Sequence, residues 1–207
     1  MEASAGPSHY NLNTVSLRLT ARLCHDYIER HLLSNSYASS TRRLVIVMKR
    51  RTRSLVNHNE TLSIIQKFAS ETDRDIYIYD DAALPSFNET MTLFYRADVI
   101  FGPHGAGFTN MIFAKPGTLI ADVQCRSIQY IRVCYRQLAL KLGMRYFGTV
   151  TTRSSAPSFK CNKEGVLVDI EEVKVLFSHL SSMFRADAYT SRLNSLSGFQ
   201  RGFYRRS

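Results

Sequence analysis

Apolar and polar positions change period repeatedly along this chain. Residues 14–33 carry Val15, Leu19, Leu23, Tyr27 and Ile28 at helical spacing, which predicts an amphipathic helix. Leu44 to Met48 is instead an unbroken apolar run, the pattern of a strand covered on both faces. A helix is predicted from about Glu60, with Asn57 as its cap and Leu62, Ile65 and Phe68 as its buried stripe. Ile76 to Tyr79 then reads as a strand. Ser86 and Glu89 have the spacing of a capping box, opening a helix through Leu93, Phe94 and Ala97. Val99 to Phe101 is a third strand, ended by Gly102-Pro103, and a short helix from about Gly105 stops before Pro116-Gly117. Thr118 to Val123 is a fourth strand, 127–142 a helix, and Arg145 to Val150 a fifth strand. Beyond a polar loop at 151–164, Val166 to Val168 adds a short strand before a last helix from about Ile170 to Phe184.

Five strand–helix alternations with short connections imply parallel strands joined by right-handed crossovers. The predicted fold class is α/β, a doubly wound parallel sheet with helices on both faces. No internal repeat or linker interrupts it. The expected division is an N-terminal tail and helix over 1–40, one α/β domain over 41–184, and a basic, flexible tail over 185–207.

Composition supports a packed core: 44% of the 207 residues are apolar and 21% charged, which excludes a disordered chain, a collagen or a coiled coil. No apolar run approaches the roughly 18 residues of a membrane span, and Met1 to Tyr10 lacks the apolar stretch of a secretory signal. Cysteines at 24, 125, 134 and 161 form no CxxC pair, which argues against a structural zinc site. With 27 basic and 17 acidic residues the net charge is +10, favouring anionic partners. The position of the charge matters more than its sum. Lys49-Arg50-Arg51-Thr52-Arg53 directly follows the first strand, whereas Arg185, Arg192, Arg201, Arg205 and Arg206 trail through the tail.

Open α/β sheets bind ligands at the carboxyl ends of their strands, and three polar features fall there. In Gly102-Pro103-His104-Gly105-Ala106-Gly107-Phe108-Thr109-Asn110, glycines let a ligand approach the backbone, and the following helix offers free N–H groups to an anion. The spacing is neither GxGxxG nor a P-loop. The plain alternative is a glycine turn that only packs helix on strand. His104 can donate to a diphosphate or sugar hydroxyl, or move a proton, unless backbone carbonyls merely fix it. The arginine cluster suits a diphosphate because a guanidinium bonds two oxygens at once; the spacing favours Arg50 and Arg53 without deciding which one reaches the ligand. Asp122 ends its strand as the acidic ribose ligand does in nucleotide-binding folds, or else caps the next helix. Asp73-Arg74-Asp75 has the DxD pattern of metal-dependent sugar-nucleotide enzymes but precedes its strand, at the wrong end of the sheet. Asn59-Glu60-Thr61 and Asn88-Glu89-Thr90 are glycosylation sequons in doubtful settings, one near the cleft and one in a helix's first turn.

The run from Ala97 to Phe113, closed by Pro116-Gly117-Thr118, resembles the signature of glycosyltransferase family 61, which includes O-linked N-acetylglucosaminyltransferases and plant β-1,2-xylosyltransferases. The likeness extends in order from about residue 42 to 180. It takes in Arg50, Arg53, Asn57 and Glu60, the aromatic helix Phe87 to Phe94, Asp122, and the Ala139, Leu142, Gly143, Tyr146 pattern. Family members often carry Glu where Asp122 stands and Gln where Thr90 stands. The resemblance implies the C-terminal, Rossmann-like, nucleotide-sugar-binding half of a GT-B glycosyltransferase. It implies inverting transfer from a UDP-sugar, UDP-GlcNAc or UDP-xylose, to a glycan or glycoprotein hydroxyl, in the Golgi or endoplasmic reticulum lumen. No metal or other cofactor is expected. Arg50, Arg53, His104, Gly105, Ala106, Gly107, Asn110 and Asp122 are the expected donor-binding residues. The base is expected outside this chain, with His104 as the candidate within it, since an acceptor domain is not accommodated in this length. The alternative is a non-catalytic UDP-sugar-binding module or degenerate relative. Nucleic acid is not an expected partner, because no recognised nucleic-acid motif accompanies the charge.

Overall fold

The computed structural model describes residues 13–33, 43–124, 134–147 and 165–203, with side chains to residue 186. Helix α1 (Thr14–Tyr27), continued by a wider turn over Ile28–Leu32, precedes strand β1 (Arg43–Lys49). There follow α2 (His58–Glu71), β2 (Arg74–Asp80), α3 (Phe87–Arg96), β3 (Ala97–Pro103), a 3-10 helix (Ala106–Phe113) and β4 (Leu119–Val123). Helix α4 (Cys134–Lys141), β5 (Arg145–Phe147) and α5 (Ile170–Phe203) complete the order. The strands form one parallel sheet, β2-β1-β3-β4-β5. This is the expected doubly wound α/β fold, Rossmann-like in its layering.

Alternation along the strands divides the core in two. Ile46, Met48, Ile100 and Ile120 face one layer, made by α1, α3, the 3-10 helix and α4. Val45, Val47, Val99, Phe101, Leu119 and Ala121 face the other, where Ile65 and Phe68 of α2 meet Phe177 and Leu180 of α5. The connection after β1 therefore leaves on one face and the connection after β3 on the opposite face. Their divergence makes the carboxyl ends of β1 and β3 the topological switch point, where such sheets bind ligands.

Local chemistry explains most element boundaries. Ser86 Oγ accepts the Glu89 N–H while the Glu89 carboxylate accepts the Ser86 N–H, the reciprocal cap that the spacing predicted. Helix α2 ends as Asp73 turns into the left-handed region at φ 54°. Asp73-Arg74-Asp75 does lie at the amino edge of the sheet, where Arg74 pairs with the buried Asp98 at 2.7 Å.

The short helix expected from Gly105 is present, as a 3-10 helix. Three expectations need correction. Val15, Leu19, Leu23 and Tyr27 of α1 are exposed; of the expected stripe only Ile28 is buried, and the helix packs through Leu17, Ala21 and Cys24. Small Ala21 and Cys24 on that second stripe let the helix approach its neighbours. Asn57 makes no side-chain cap on α2. Its Nδ2 donates to the Val168 carbonyl at 2.9 Å and its Oδ1 accepts the Val168 N–H at 3.0 Å, beside the Leu55–Val166 bridge. Helix α5 continues to Phe203 rather than ending at Phe184, consistent with the absence of Gly and Pro from 170 to 197. Residues 127–133 and 148–164, expected as helix, strand and loop, lie outside the described residues.

Candidate nucleotide cleft

Strand β1 delivers the arginine turn to that switch point. Arg50 is largely buried, and its guanidinium lies across Gly105: a Cβ built there would stand 1.4 Å from Nη1 and 2.1 Å from Cζ. Only glycine admits that contact. Arg50 Nε is 3.9 Å from Asp81 Oδ2 and is buried without a hydrogen-bond acceptor. An unpaired buried donor is costly. Arg51 turns away, its N–H donating to Asp81 Oδ1 at 2.9 Å and its Nη2 to the Ala82 carbonyl. Lys49 pairs with Asp80 at 2.7 Å. Arg53 takes the left-handed region at φ 59°, a strained conformation for a residue with a Cβ. Burial pushes the Tyr135 hydroxyl up, and the charges of Arg50 and Arg53 oppose that shift.

Strand β3 delivers the glycine loop. Gly102, at φ +153°, lies so close to β1 that a Cβ would stand 2.5 Å from Met48 Cβ. The His104 N–H donates to the Val123 carbonyl at 2.9 Å, extending the β3–β4 ladder by one bond. Gly105 is extended, and the 3-10 helix begins at Ala106. Asn110 points toward β2, donating from Nδ2 to the Tyr79 hydroxyl at 3.1 Å. The loop therefore divides between an Arg50–Gly105 surface and an Asn110–Tyr79 rim.

Strand β4 places Asp122 behind His104. The carboxylate is fully buried, and its Oδ2 accepts from His104 Nδ1 at 2.8 Å, Gln124 Nε2 at 3.0 Å and the Tyr146 hydroxyl at 3.0 Å. Oδ1 has no hydrogen-bond partner. An aspartate so enclosed does not face a ribose in this structure. It holds the Nδ1 side and the ring plane of His104. Tyr135 packs on the imidazole with centroids 4.8 Å apart, and Cys134 Sγ is 4.0 Å from Nε2. Burial, then the Asp122 charge and the bond to it, push the Tyr146 hydroxyl far above the usual phenol range. It stays a neutral donor.

The family profile described as Glycosyltransferase 61 matches residues 4–121, more than half of the chain. The chain belongs to glycosyltransferase family 61. Among characterised proteins, it is 25% identical over 150 residues to rice "Alpha-1,3-arabinosyltransferase XAT2", covering 70% of this chain and 24% of that one. It is 32% identical over 107 residues to rice "Alpha-1,3-arabinosyltransferase XAT3", covering 50% of this chain and 18% of that one. The matched stretch thus spans about a quarter or less of either relative. A solved structure titled as a diflavin flavoprotein A3 from Nostoc sp. covers 72% of this chain and 99% of its own. Its TM-score is 0.49 at 10% identity, a likeness too slight to bear on function.

In this family 61 chain, Arg50, Gly105 and His104 come together at the carboxyl ends of β1 and β3, with Asp122 behind His104, while Arg53 follows on the β1 turn. Asn110 is turned to the rim. Gln124, Tyr135, Tyr146 and Cys134 complete the site without having been expected there. Only Tyr146 gave a sequence signal, as the last residue of the quoted helix pattern; the pairing of β4 with β5, Ile120 opposite Tyr146, brings it to Asp122. No helix among the described residues is long and apolar enough to cross a membrane.

Proposed function

We propose that this chain is the donor-binding domain of an inverting glycosyltransferase that takes a UDP-sugar, with a pentose such as arabinose or xylose as the donor sugar. The observation that carries the reading is the buried guanidinium of Arg50 laid on Gly105, beside a histidine whose proton position is fixed by a buried carboxylate. Arg50 offers a cation where the two crossovers diverge, and a diphosphate would bring the opposite charge. The rice relatives' arabinosyltransferase names favour a pentose over a hexose.

In the proposed reaction an acceptor hydroxyl oxygen attacks the anomeric carbon. The carbon–oxygen bond to the diphosphate breaks and its electron pair departs with UDP. The hydroxyl proton passes to a base on the acceptor side, or to His104 Nε2. Charge growing on the leaving β-phosphate is met by Arg50, Arg53 and the N–H groups that open the 3-10 helix; losing one such donor costs about 3 kcal/mol of barrier. These cations do the work a bound metal does in other transferases, so metal independence is part of the proposal. A second reading is a binding module without turnover. It shares the same cleft. The lumen of the Golgi or endoplasmic reticulum is the proposed location, with a glycan or glycoprotein hydroxyl as acceptor.

Thermal-shift titration in EDTA with UDP-arabinose, UDP-xylose, UDP-GlcNAc and GDP-mannose tests the donor. UDP-pentoses should raise Tm most. Equal shifts by the GDP-sugar, or shifts abolished by the chelator, would refute the proposal.

A further inference from the structure

Sugar transfer leaves one nucleophile in this cleft unused. Cys134, the first residue of α4, holds its Sγ 4.0 Å from His104 Nε2, and Asp122 Oδ2 stands 2.8 Å from the opposite ring nitrogen. The three groups form a thiol–imidazole–carboxylate line. Asp122 keeps the imidazole proton on Nδ1, so the Nε2 lone pair faces the thiol. The same buried carboxylate stabilises the imidazolium that forms when the thiol proton arrives. Among the described residues, Tyr146 and Gln124 donate to Asp122 from behind, and Tyr135 covers the imidazole. Cys24 provides the contrast. It sits on the packed face of α1, away from these groups, and burial pushes its thiol up.

We infer that Cys134 is a modification site, a base-assisted thiol that takes soft carbon electrophiles of the α-halo amide type. In the reaction Sγ bonds to the electrophilic carbon, the carbon–halogen bond breaks, and halide leaves with the electron pair. The thiol proton passes to His104 Nε2 and on to solvent. The resulting thioether occupies the space beside Nε2, so alkylation and nucleotide binding exclude one another. That last consequence rests on the nucleotide reading; the activation of the thiol does not.

Iodoacetamide labelling of the full chain, followed by peptide mass spectrometry, tests this. Near neutral pH, Cys134 should react about tenfold faster than Cys24. His104→Gln should slow Cys134 about tenfold and leave Cys24 unchanged. If that variant does not fold, the ratio of the two rates in the native chain decides. A Cys134 rate no faster than that of Cys24, or one that ignores His104→Gln, overturns the assignment. UDP should protect Cys134. Failure of protection with the rate advantage intact would count against the nucleotide reading while leaving the thiol assignment standing.

Discussion

Gly105→Ala is the sharpest perturbation the cleft offers. The Gly105 backbone is extended at φ 168°, which alanine adopts freely, so no strain arises in the main chain. The new methyl instead collides with a side-chain tip, 1.4 Å from Arg50 Nη1 and 2.8 Å from Nη2. A guanidinium at the end of a long side chain can swing aside, so the cost to folding is small. The cost to function is not. A charge-assisted hydrogen bond contributes about 1.5–3 kcal/mol, so evicting Arg50 should weaken UDP binding about 10- to 100-fold. Arg50→Ala should cause a similar loss, and the double variant should lose little more than either alone, since both remove one interaction. Gly102→Ala is the control. There the methyl meets Met48 Cβ at 2.5 Å and the Met48 carbonyl at 2.9 Å, with φ at +153°. That clash is with strand β1 itself, and overpacking of this kind costs at least about 1–3 kcal/mol of stability. Calorimetric UDP titrations, paired with thermal melts, would measure both quantities. Wild-type affinity in Gly105→Ala would refute the role given to Arg50. Additive losses in the double variant would show that the methyl blocks the ligand directly.

Other predictions concern the scaffold. Asn57→Ala removes both bonds to Val168 and should lower urea stability by about 1–3 kcal/mol; an unchanged midpoint would mean the Asn57–Val168 clasp is idle. His25 packs edge-on against Tyr95, and burial lowers its pKa although its ring donates to the Ala114 and Phe113 carbonyls. The fold therefore favours neutral imidazole. Its contribution is complete above the unfolded value of about 6.5 and is lost as pH falls toward the lowered folded value. His58, lowered by burial and by Lys49, acts with the same sign. His25→Phe should thus reduce, without abolishing, the fall in Tm between about pH 7 and about pH 5; an undiminished fall would contradict this.

Much of this arrangement was legible in the chain. Unbroken apolar runs at Leu44–Met48 and Val99–Phe101 marked strands covered on both faces, and Ser86 with Glu89 marked a helix start. Those elements alone put the arginine turn and the glycine loop on one edge of the sheet. What stayed hidden depended on pairings across long sequence distances. Asp122 could be assigned to a strand end, but not to a buried pocket closed by Tyr146 from β5. Cys134 was only a member of a cysteine count until α4 carried it to His104. On α1, two apolar stripes competed, and periodicity gives no means of choosing the one with the smaller residues. Asn57 showed the same limit: its cap-like position was real, yet a carbonyl and an N–H from residue 168 were the better partners.

The central claim is that the switch point between β1 and β3 grips a nucleoside diphosphate through Arg50 and His104 without a metal. Isothermal titration of the folded chain with UDP in EDTA tests it most directly, using the native protein beside His104→Ala and Arg50→Ala. The account predicts one-to-one binding that survives the chelator and weakens about tenfold or more in each variant. No heat with UDP from the folded native chain, or equal affinity in all three proteins, would contradict it.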